Sequence, residues 1–333
     1  MSWRVLITSQ AMVEVGQVAL DQLLAAGFKL TFPDSYRPRG GRELEALLEG
    51  HEAVLATVDK FTPEVLASQA ASRLKLISRW GVGYDSIDVD AATTQGIAIA
   101  YTPGLLDETV ADLTFALMLG IARHIAEGDA ALKRGTWRPI WGGNVHGKTL
   151  GLVGCGRIGQ AVVARARGFG MRVLAYDISP SQRARDLGVE FVSLNTLLEE
   201  SDFVSLHAAV TAENRGLIGE AQLRRMKPTA YLINAARGAL LNEVDLARAL
   251  TEGWIAGAAI DTYAIEPLPP TSPLLQCPNI LLSPHQASFT RETGLQVSTT
   301  AAQAILDLYR GSAPTHTLNP SVFSRPNCRS RIS

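Results

Sequence analysis

The sequence predicts an α/β protein made of two doubly wound, parallel-sheet domains. Short apolar runs, typical of strands buried on both faces, alternate with helix-like spans along almost the whole chain. Two glycine-rich turns, at Gly81-Val-Gly83 and Gly154-Cys-Gly156, each follow such a run. The chain has 333 residues, which is more than one hydrophobic core usually organises. Two domains are therefore expected.

The N-terminal part predicts a small parallel sheet. The apolar runs expected to be strands are 3–8, 52–58, 74–78 and 97–100, and the helix-like spans among them are 15–26 and 42–49. This alternation of strands and helices over about 100 residues is typical of an α/β domain.

A long helix is expected over 107–126. Val110, Leu113, Leu117 and Ile121 lie along one face, and further apolar residues lie on the other faces. That apolar share is high for a surface helix, so burial between domains or subunits is expected. A loop rich in tryptophan and glycine follows, from Trp137 to Gly147.

The second half of the chain predicts a second parallel sheet. The apolar runs expected to be strands are 150–153, 171–176, 203–206, 230–234, 255–260 and 280–283. A last helix is expected over roughly 292–310, and the tail 314–333 is interpreted as a surface extension.

The composition excludes several classes of protein. The net charge is -1, which gives no reason to expect a nucleic-acid partner. No run approaches the roughly 18 apolar residues that span a bilayer, and the N-terminus lacks the apolar core of a signal peptide. The three cysteines fit neither a disulfide framework nor a zinc site. A cytoplasmic protein without membrane contact and without a metal site is therefore expected.

The turn at Gly154-x-Gly156-x-x-Gly159 predicts a dinucleotide site. Gly154 permits a tight turn, Gly156 lets the backbone approach a pyrophosphate, and Gly159 allows close packing of the helix on the strand. The N-terminus of the following helix supplies unpaired N–H groups. Asp177, at the end of the next predicted strand, can bind the ribose hydroxyls and would repel the 2′-phosphate of NADP. NAD is therefore favoured over NADP, although Asp177 is alternatively a turn-forming residue before Ser179-Pro180.

Three later residues have the chemistry of carbonyl reduction. Arg237, Glu266 and His285 each follow a predicted strand, and ligands bind outside the carboxyl ends of parallel strands. An arginine holds a carboxylate and polarises a carbonyl, and an imidazolium beside a carboxylate donates a proton near neutral pH. Taken singly, the alternatives are a surface ion pair, a solvated loop acid and a buried structural histidine. Together and in this order they predict a catalytic site.

These motifs make the chain resemble the D-isomer-specific 2-hydroxyacid dehydrogenase family, which includes phosphoglycerate, glyoxylate/hydroxypyruvate and D-lactate dehydrogenases. The resemblance covers residues from about 50 to 320. The motifs that carry it are Gly81-Val-Gly83-Tyr-Asp85, Val110-Ala-Asp112, Gly154-Cys-Gly156-Arg-Ile-Gly159, Thr211-Ala-Glu-Asn-Arg215-Gly-Leu-Ile218, Ile233-Asn-Ala-Ala-Arg237-Gly, Asp261-Thr-Tyr-Ala-Ile-Glu266-Pro and Pro284-His285.

The resemblance implies a role for each of these residues. Arg237 binds and polarises the substrate, Glu266 tunes His285, and His285 is the acid/base. The cofactor-binding residues it implies, besides the three glycines and Asp177, are Arg157, Ile158, His207, Thr211 and Asp261. The backbone amides of Val82 and Gly83 match those that hold the substrate carboxylate, and Arg79 is interpreted as a spare cation that sets substrate preference.

Some positions depart from the family pattern. His207-Ala-Ala-Val210 replaces the usual His-x-Pro-Leu, so the local shape is expected to differ there. Cys155 stands where a bulkier apolar residue is common, and we interpret it as a small packed hydrophobe rather than a redox sensor. Ala56 lies near the position where phosphoglycerate dehydrogenases tend to place an arginine for the phosphate. The absence of an arginine here disfavours phosphoglycerate as the substrate without excluding it.

The resemblance also implies the domain layout. A Rossmann NAD-binding domain (102–291) is inserted into a flavodoxin-like substrate domain (1–101 and 292–333), which explains why the dinucleotide turn comes so late in the chain. A cleft between them is expected to close over the substrate. The helix over 107–126 and the Trp137–Gly147 loop are expected to form a homodimer.

The sequence thus predicts an NAD-dependent enzyme that transfers a hydride between nicotinamide and C2 of a small 2-oxo or D-2-hydroxy acid. The expected substrate resembles glyoxylate and hydroxypyruvate, or phosphoglycerate. The alternative is an NAD(H)-sensing corepressor on the same scaffold. That function needs a peptide-docking cleft in the N-terminal region and usually longer tails, and the sequence shows neither.

Overall fold

A computed structural model of the chain describes residues 2–330 and 332. The chain divides into two compact units, the first formed by Met1–Leu106 with Ser288–Ser333 and the second by Asp107–Ala287. Each unit is built around its own parallel β-sheet. The two α/β sheets predicted from the sequence are confirmed.

The first unit holds a five-stranded parallel sheet. Its strands are β1 (Arg4–Ile7), β2 (Lys29–Thr31), β3 (Ala53–Ala56), β4 (Leu76–Arg79) and β5 (Ala98–Ala100), in the order β2-β1-β3-β4-β5. Its helices before residue 106 are α1 (Gln10–Val15), α2 (Gln17–Ala25), α3 (Gly41–Leu48), α4 (Pro63–Ala67) and α5 (Val89–Thr94). Leu6, Val54, Ile77 and Ile99 come from four neighbouring strands and pack in one buried cluster.

The second unit holds a seven-stranded parallel sheet. Its strands are β6 (Thr149–Val153), β7 (Arg172–Tyr176), β8 (Glu190–Phe191), β9 (Phe203–Leu206), β10 (Tyr231–Asn234), β11 (Gly257–Ile260) and β12 (Ile280–Leu282), in the order β12-β11-β10-β9-β6-β7-β8. Its helices are α6 (Asp107–Ala122), α7 (Ile125–Lys133), α8 (Arg157–Gly168), α9 (Gln182–Asp186), α10 (Leu194–Glu200), α11 (Glu220–Leu223) and α12 (Glu243–Thr251).

The register of this sheet aligns the carboxyl ends of its strands. Val153 pairs with both Tyr176 and Leu206, and Leu206 pairs with Asn234. Asn234 in turn pairs with Ile260, which pairs with Leu282. Because these are the last residues of their strands, the residues that follow them lie along one edge of the sheet.

The helix predicted over 107–126 is wrong in its extent. α6 ends at Ala122, where the amide of Gly143 donates a hydrogen bond to the Ala122 carbonyl at 2.9 Å. His124 then adopts the left-handed conformation (φ 51°), and α7 starts in a new direction, bent by 61°. Among the described residues, no single helix has the length and apolarity to cross a membrane, although α6 and α7 taken together reach that length and composition.

The predicted strands and helices differ from the structure elsewhere in small ways. The helix predicted over 15–26 is α2, and the short helix α1 before it, which meets α2 at Gly16, was not predicted. β2 and β8 were not predicted, because they are two or three residues long and lack an apolar run. Both are edge strands, so each buries little of its own surface.

The C-terminal part returns to the first unit. α13 (Arg291–Tyr309) packs on α1, α2 and β4. The interpretation of the tail as a surface extension is wrong, because the tail is anchored in this unit. The buried side chain of Asn319 accepts a hydrogen bond from the Ile99 amide at 2.8 Å and donates to the Ile97 carbonyl at 2.9 Å, and Val322 is fully buried.

Candidate active site

The turn after β6 has the shape of a cradle for a diphosphate. Gly154 has φ 92°, and a Cβ there would lie 2.6 Å from the Ala208 amide nitrogen. At Gly156 a Cβ would meet nothing within 4 Å, so open space faces this residue. A Cβ on Gly159 would lie 2.8 Å from the Gly154 carbonyl oxygen, so its absence lets α8 pack on the turn. The three glycines therefore have three different environments: a close backbone contact, open space and a close contact of helix on turn.

The first turn of α8 offers hydrogen-bond donors at the same place. The first hydrogen bond within this helix runs from the Gln160 amide to the Gly156 carbonyl at 2.9 Å. The amides of Arg157, Ile158 and Gly159 therefore begin the helix without an acceptor inside it, and the helix dipole adds positive potential there. These donors and the open space at Gly156 fit the diphosphate of a dinucleotide.

Asp177 supports the same turn. Its Oδ2 accepts a hydrogen bond from the Cys155 amide at 2.7 Å, and its Oδ1 accepts one from the Ser179 amide at 2.8 Å. Asp177 is thus a turn-forming residue, which was the alternative interpretation of its sequence. A carboxylate oxygen has more than one acceptor site, so these bonds are compatible with binding ribose hydroxyls as well.

Cys155 is buried in this turn. Burial, and then the nearby Asp177 carboxylate, raise the pKa of its thiol to about 11. The thiol therefore stays protonated and unreactive at neutral pH.

Arg157 leaves the first turn of α8 and pairs with α6. Its Nε lies 3.0 Å from Oδ2 of Asp107, and more than half of its side chain is exposed. Arg165, two turns further along α8, binds Glu108 and Asp112. These ion pairs fix α8 on α6 and leave the Arg157 side chain beside the helix N-terminus.

His207 and Thr211 follow β9. The Nε2 atom of His207 lies 2.8 Å from the hydroxyl of Ser205, which is fully buried. Loss of hydration lowers the pKa of His207 to about 4, so its imidazole is neutral in the physiological range. Thr211 lies in an exposed turn, where its amide donates to Oδ1 of Asn214 at 2.8 Å.

Asp261 organises the loop that carries His285. Its buried carboxylate accepts hydrogen bonds from the Ser283 hydroxyl at 2.6 Å and from the amides of Gln286 and Ala287 at 2.9 and 3.0 Å. The Asp261 carbonyl also accepts from the His285 amide at 2.8 Å. His285 has φ 49°, a conformation that non-glycine residues avoid unless their surroundings impose it. The Asp261 carboxylate supplies much of that constraint.

Glu266 and His285 are joined by a hydrogen bond. Nδ1 of His285 lies 2.7 Å from Oε2 of Glu266, whose Oε1 accepts from the Tyr263 amide at 3.0 Å. Burial raises the pKa of the Glu266 carboxyl, but the hydrogen bond and charge of His285, the Tyr263 amide and the Arg237 charge together outweigh it. The pKa of Glu266 therefore lies below its usual value, and this carboxylate is ionised at neutral pH.

Arg237 lies in the turn after β10. Asn234, the last residue of that strand, is fully buried and holds the turn by accepting from the Ala236 amide and donating to the Arg237 carbonyl. Next to it, a Cβ on Gly238 would lie 1.9 Å from the Tyr263 carbonyl carbon. This close approach of two turns brings Arg237 near Glu266. The structure thus places Arg237, Glu266 and His285 in one region of the second unit.

Two supporting residues were given no role by the sequence. Asn234 holds the Arg237 turn, and Ser205 holds the His207 ring. Both are buried polar side chains within apolar strands, which is a signal that sequence reading can use.

The first unit carries the other predicted substrate residues. Arg79 is the last residue of β4 and is 7% exposed. Its Nε donates to the Gly83 carbonyl at 2.7 Å, and its Nη1 donates to the Trp80 carbonyl. Arg79 is therefore not a spare cation, since its guanidinium binds the backbone of the turn that contains Val82 and Gly83. No three histidine, cysteine, aspartate or glutamate side chains within 2–330 and 332 are grouped to hold a metal ion.

Comparison with known proteins places these features in a family. Residues 115–287 match the family described as the D-isomer specific 2-hydroxyacid dehydrogenase, NAD binding domain. A glyoxylate reductase of Korarchaeum cryptofilum is 47% identical over 261 residues, which cover 76% of this chain and 79% of that protein.

Solved structures show the same relationship. A crystal structure of a Thermus thermophilus protein superposes with a TM-score of 0.86 and 39% identity, covering 95% of this chain and 99% of the other. A D-lactate dehydrogenase from Aquifex aeolicus, solved with NAD and lactic acid, gives a TM-score of 0.81 at 28% identity and covers 92% and 96% of the two chains. The chain belongs to the D-isomer-specific 2-hydroxyacid dehydrogenase family, and it is an NAD-dependent oxidoreductase of 2-hydroxy acids.

Proposed function

We propose that Arg237, Glu266 and His285 are the catalytic residues of a 2-oxo acid reductase. The observation that carries this proposal is the 2.7 Å contact between His285 Nδ1 and Glu266 Oε2, on a loop whose backbone is held in a strained conformation. Strain of this kind is concentrated at functional sites, because it persists only where the surrounding structure imposes it.

The contact indicates which nitrogen of His285 faces Glu266 and which faces the substrate. Glu266 is ionised, so Nδ1 of His285 is the donor of their hydrogen bond and Nε2 is the atom that remains for the substrate. In reduction, Nε2 donates its proton to the oxygen bonded to C2 as negative charge develops on that oxygen. The Glu266 carboxylate stabilises the protonated imidazole before that transfer.

Arg237 binds the substrate carboxylate and polarises the C2 carbonyl in this proposal, because its planar guanidinium can donate to two oxygens at once. The backbone amides of Val82 and Gly83 also bind the carboxylate, as the family resemblance implies. The unit 107–287 is then the NAD-binding domain, and the unit formed by 1–106 with 288–333 is the substrate-binding domain.

The cofactor-binding residues follow from the cradle after β6. The amides at the start of α8 and the turn at Gly154 and Gly156 hold the diphosphate, with Arg157 beside them. Asp177 binds the adenosine ribose, and His207, Thr211 and Asp261 complete the cofactor site. When bound, NADH supplies the hydride that reduces C2.

Glyoxylate or hydroxypyruvate is the substrate that we propose, and glyoxylate is what the relative from Korarchaeum cryptofilum is named for. A substrate like 3-phosphohydroxypyruvate is less well supported. Ala56, at the end of β3, is 1% exposed and supplies no charge for a phosphate. A panel of glyoxylate, hydroxypyruvate, 3-phosphohydroxypyruvate, pyruvate and phosphonopyruvate, followed by NADH absorbance, decides among them.

The catalytic assignment is tested with Arg237→Ala and His285→Ala. Each is expected to lower turnover by orders of magnitude while NADH still binds, since neither residue lies in the diphosphate cradle. His124→Ala is the matched control, because His124 also has a positive φ and pairs with a glutamate, Glu127. It should retain full turnover. Wild-type turnover in both active-site variants would disprove the assignment.

We also propose a homodimer formed through α7 and the loop after it. Four large side chains are exposed within this stretch: Ile125 (63%), Leu132 (55%), Trp137 (87%) and Trp141 (97%). Apolar surface of this extent is typical of a subunit interface. Trp141→Ser should shift sedimentation toward the monomer, whereas Val244→Ser, which replaces a 68% exposed side chain on α12, should not. A wild-type chain that sediments as a monomer refutes this proposal.

A cytoplasmic location is proposed on the cysteines. Cys155, Cys277 and Cys328 are all unpaired, which suits a reducing compartment. An NAD(H)-sensing corepressor is not favoured, since the matching family and the named relative are a dehydrogenase and a reductase. Turnover on the order of 1–10³ s⁻¹ with a 2-oxo acid separates the two functions.

A further inference from the structure

Two side chains fix the backbone of the turn that follows β4. Thr102 binds Gly81 on both sides: its Oγ1 accepts from the Gly81 amide at 2.9 Å, and its amide donates to the Gly81 carbonyl at 3.1 Å. Arg79 binds the carbonyls of Trp80 and Gly83. A Cβ on Gly81 (φ 127°) would lie 3.1 Å from Nη1 of Arg79, so the guanidinium lies directly against this turn.

These bonds leave two neighbouring donors. Within the described residues, the amides of Val82 and Gly83 donate no hydrogen bond to another protein group. Successive backbone N–H groups in a turn form a concave site for an anion. Arg79 binds the carbonyls of Trp80 and Gly83, which belong to the peptide units on either side of these two amides, so it fixes both ends of the segment that carries them. The Gly81 carbonyl, which shares a peptide plane with the Val82 amide, is bound by the Thr102 amide.

We propose that Arg79 is a positioning residue, which holds the amides of Val82 and Gly83 in place for the substrate carboxylate by binding the carbonyls of the same turn. This role of Arg79 rests on the proposed function, in which the amides of Val82 and Gly83 bind the substrate carboxylate. Arg79 does not select among substrates by contacting their substituents. Arg79 is buried and contacts two carbonyls through separate nitrogen atoms of its planar guanidinium. The ammonium group of a lysine has one nitrogen atom and cannot make both contacts in this geometry.

A positioning role and a specificity role for Arg79 predict different effects on a series of 2-oxo acids. Every 2-oxo acid has the carboxylate, whereas glyoxylate has no substituent beyond C2. If Arg79 holds the carboxylate site, its loss weakens all substrates by a similar factor, glyoxylate included. If Arg79 were a specificity cation, its loss would spare glyoxylate and affect 3-phosphohydroxypyruvate.

The test is Arg79→Lys in the full-length protein. KM for glyoxylate, hydroxypyruvate and 3-phosphohydroxypyruvate is expected to rise by a common factor of about 10 to 100, the worth of one or two hydrogen bonds to a charged group. We expect kcat to stay within a few-fold and the Kd of NADH to stay unchanged. Without substrate, hydrogen exchange is expected to accelerate at the amides of Gly81 and Thr102, which donate the hydrogen bonds of this turn.

Arg39→Lys is the matched control. Arg39 is also in the first unit, is 4% exposed, and donates to the carbonyls of Ser35 and Arg37 in a different turn. Its replacement should lower the unfolding temperature as much as Arg79→Lys does, yet leave KM and the amide exchange of Gly81 and Thr102 unchanged. A KM effect of equal size in both variants would show a general loss of stability and overturn the proposal.

Two further results would also overturn it. One is an effect of Arg79→Lys confined to substrates with a substituent at C3, and the other is an unchanged KM with unchanged amide exchange. If the wild type turns over none of the three acids, the proposed function fails instead. The exchange measurement still decides in that case whether Arg79 holds the turn.

Discussion

Nδ1 of His285 lies 2.7 Å from Oε2 of Glu266. The two residues come from different loops, one after β11 and one after β12, whose strands are adjacent in the sheet. Each loop is held independently: the Tyr263 amide binds Glu266, and the Asp261 carboxylate binds the amides that follow His285. The backbones of the two loops therefore hold Glu266 and His285 at hydrogen-bonding distance.

Glu266→Gln is expected to move the alkaline limb of the pH–rate profile for reduction to lower pH. The amide cannot stabilise a protonated imidazole as the carboxylate does, so the proton donor is lost at a lower pH. We expect kcat/KM at neutral pH to fall by about 10²-fold or more, the scale of general acid catalysis. The measurement is kcat/KM for glyoxylate reduction between pH 5 and 9.

Glu243→Gln is the control for this variant. Oε1 of Glu243 accepts from the Ala264 amide at 2.6 Å, so it supports the same loop without touching the imidazole. Its pH profile should match that of the wild type. An unshifted alkaline limb in Glu266→Gln would show that this carboxylate does not tune His285.

Asp177→Ala is expected to have two separable effects. Loss of the carboxylate removes the charge that repels a 2′-phosphate, so the ratio of kcat/KM with NADPH to that with NADH should rise by about tenfold or more. Loss of the acceptors for the Cys155 and Ser179 amides should also lower the free energy of unfolding by about 1–2 kcal/mol. Coenzyme kinetics and urea denaturation measure the two effects.

Asp186→Ala is the comparison for Asp177. Asp186 is an aspartate of the neighbouring helix α9, and its Oδ1 accepts from the Gln182 side chain in an exposed pair. Neither coenzyme preference nor stability should change measurably there. A wild type that already prefers NADPH would contradict the role given to Asp177.

His207 is expected to make stability fall in weak acid. The pKa of about 4 in the folded state lies below the 6.5 of an exposed histidine, so between these values the unfolded chain binds more protons. The free energy of unfolding therefore decreases as the pH falls from 6.5 toward 4, by at most about 1.4 kcal/mol per pH unit for one proton.

The comparison that isolates this contribution is wild type against His207→Gln. The glutamine at position 207 does not titrate, so the stability of the variant should depend less steeply on pH between 4 and 6.5. The difference in stability between variant and wild type should therefore vary with pH. The proton spectrum of the apo protein should show the His207 ring titrating near pH 4. A ring that titrates near 6.5 would contradict the burial argument.

The sequence predicted the residues that end strands better than the contacts they make. Gly154, Asp177, Arg237, Asp261 and His285 could be placed at one sheet edge, because apolar runs mark parallel strands and their carboxyl ends align. The contact partners depend on loop conformation, which has no periodic signal. Arg79 shows this: the sequence predicted its position at the end of a strand, but not its binding to the Trp80 and Gly83 carbonyls.

Helix ends and the tail show a second reason. Ala122 ends α6 because the distant Gly143 binds its carbonyl, and nothing near Ala122 in the sequence marks that ending. Asn319 is one polar residue in a polar tail, yet it is buried against β5. Both outcomes depend on contacts between segments far apart in sequence, which a local pattern does not contain.

Gly154→Ala and Gly156→Ala are expected to separate folding from cofactor binding. At Gly154 the added Cβ meets the Ala208 backbone at 2.6 Å and φ is positive, so we expect the free energy of unfolding to fall by about 2 kcal/mol or more. At Gly156, where φ is −70° and the Cβ has open space, we expect a change within about 0.5 kcal/mol. In our proposal the diphosphate approaches through that open space, so Gly156→Ala should weaken NADH binding while leaving the fold intact. Thermal unfolding and NADH fluorescence titration of both variants measure this. Gly168→Ala, at the far end of α8 with equally open space, should leave NADH binding unchanged and raise the free energy of unfolding by at most about 1 kcal/mol. Unweakened NADH binding in Gly156→Ala would place the diphosphate elsewhere.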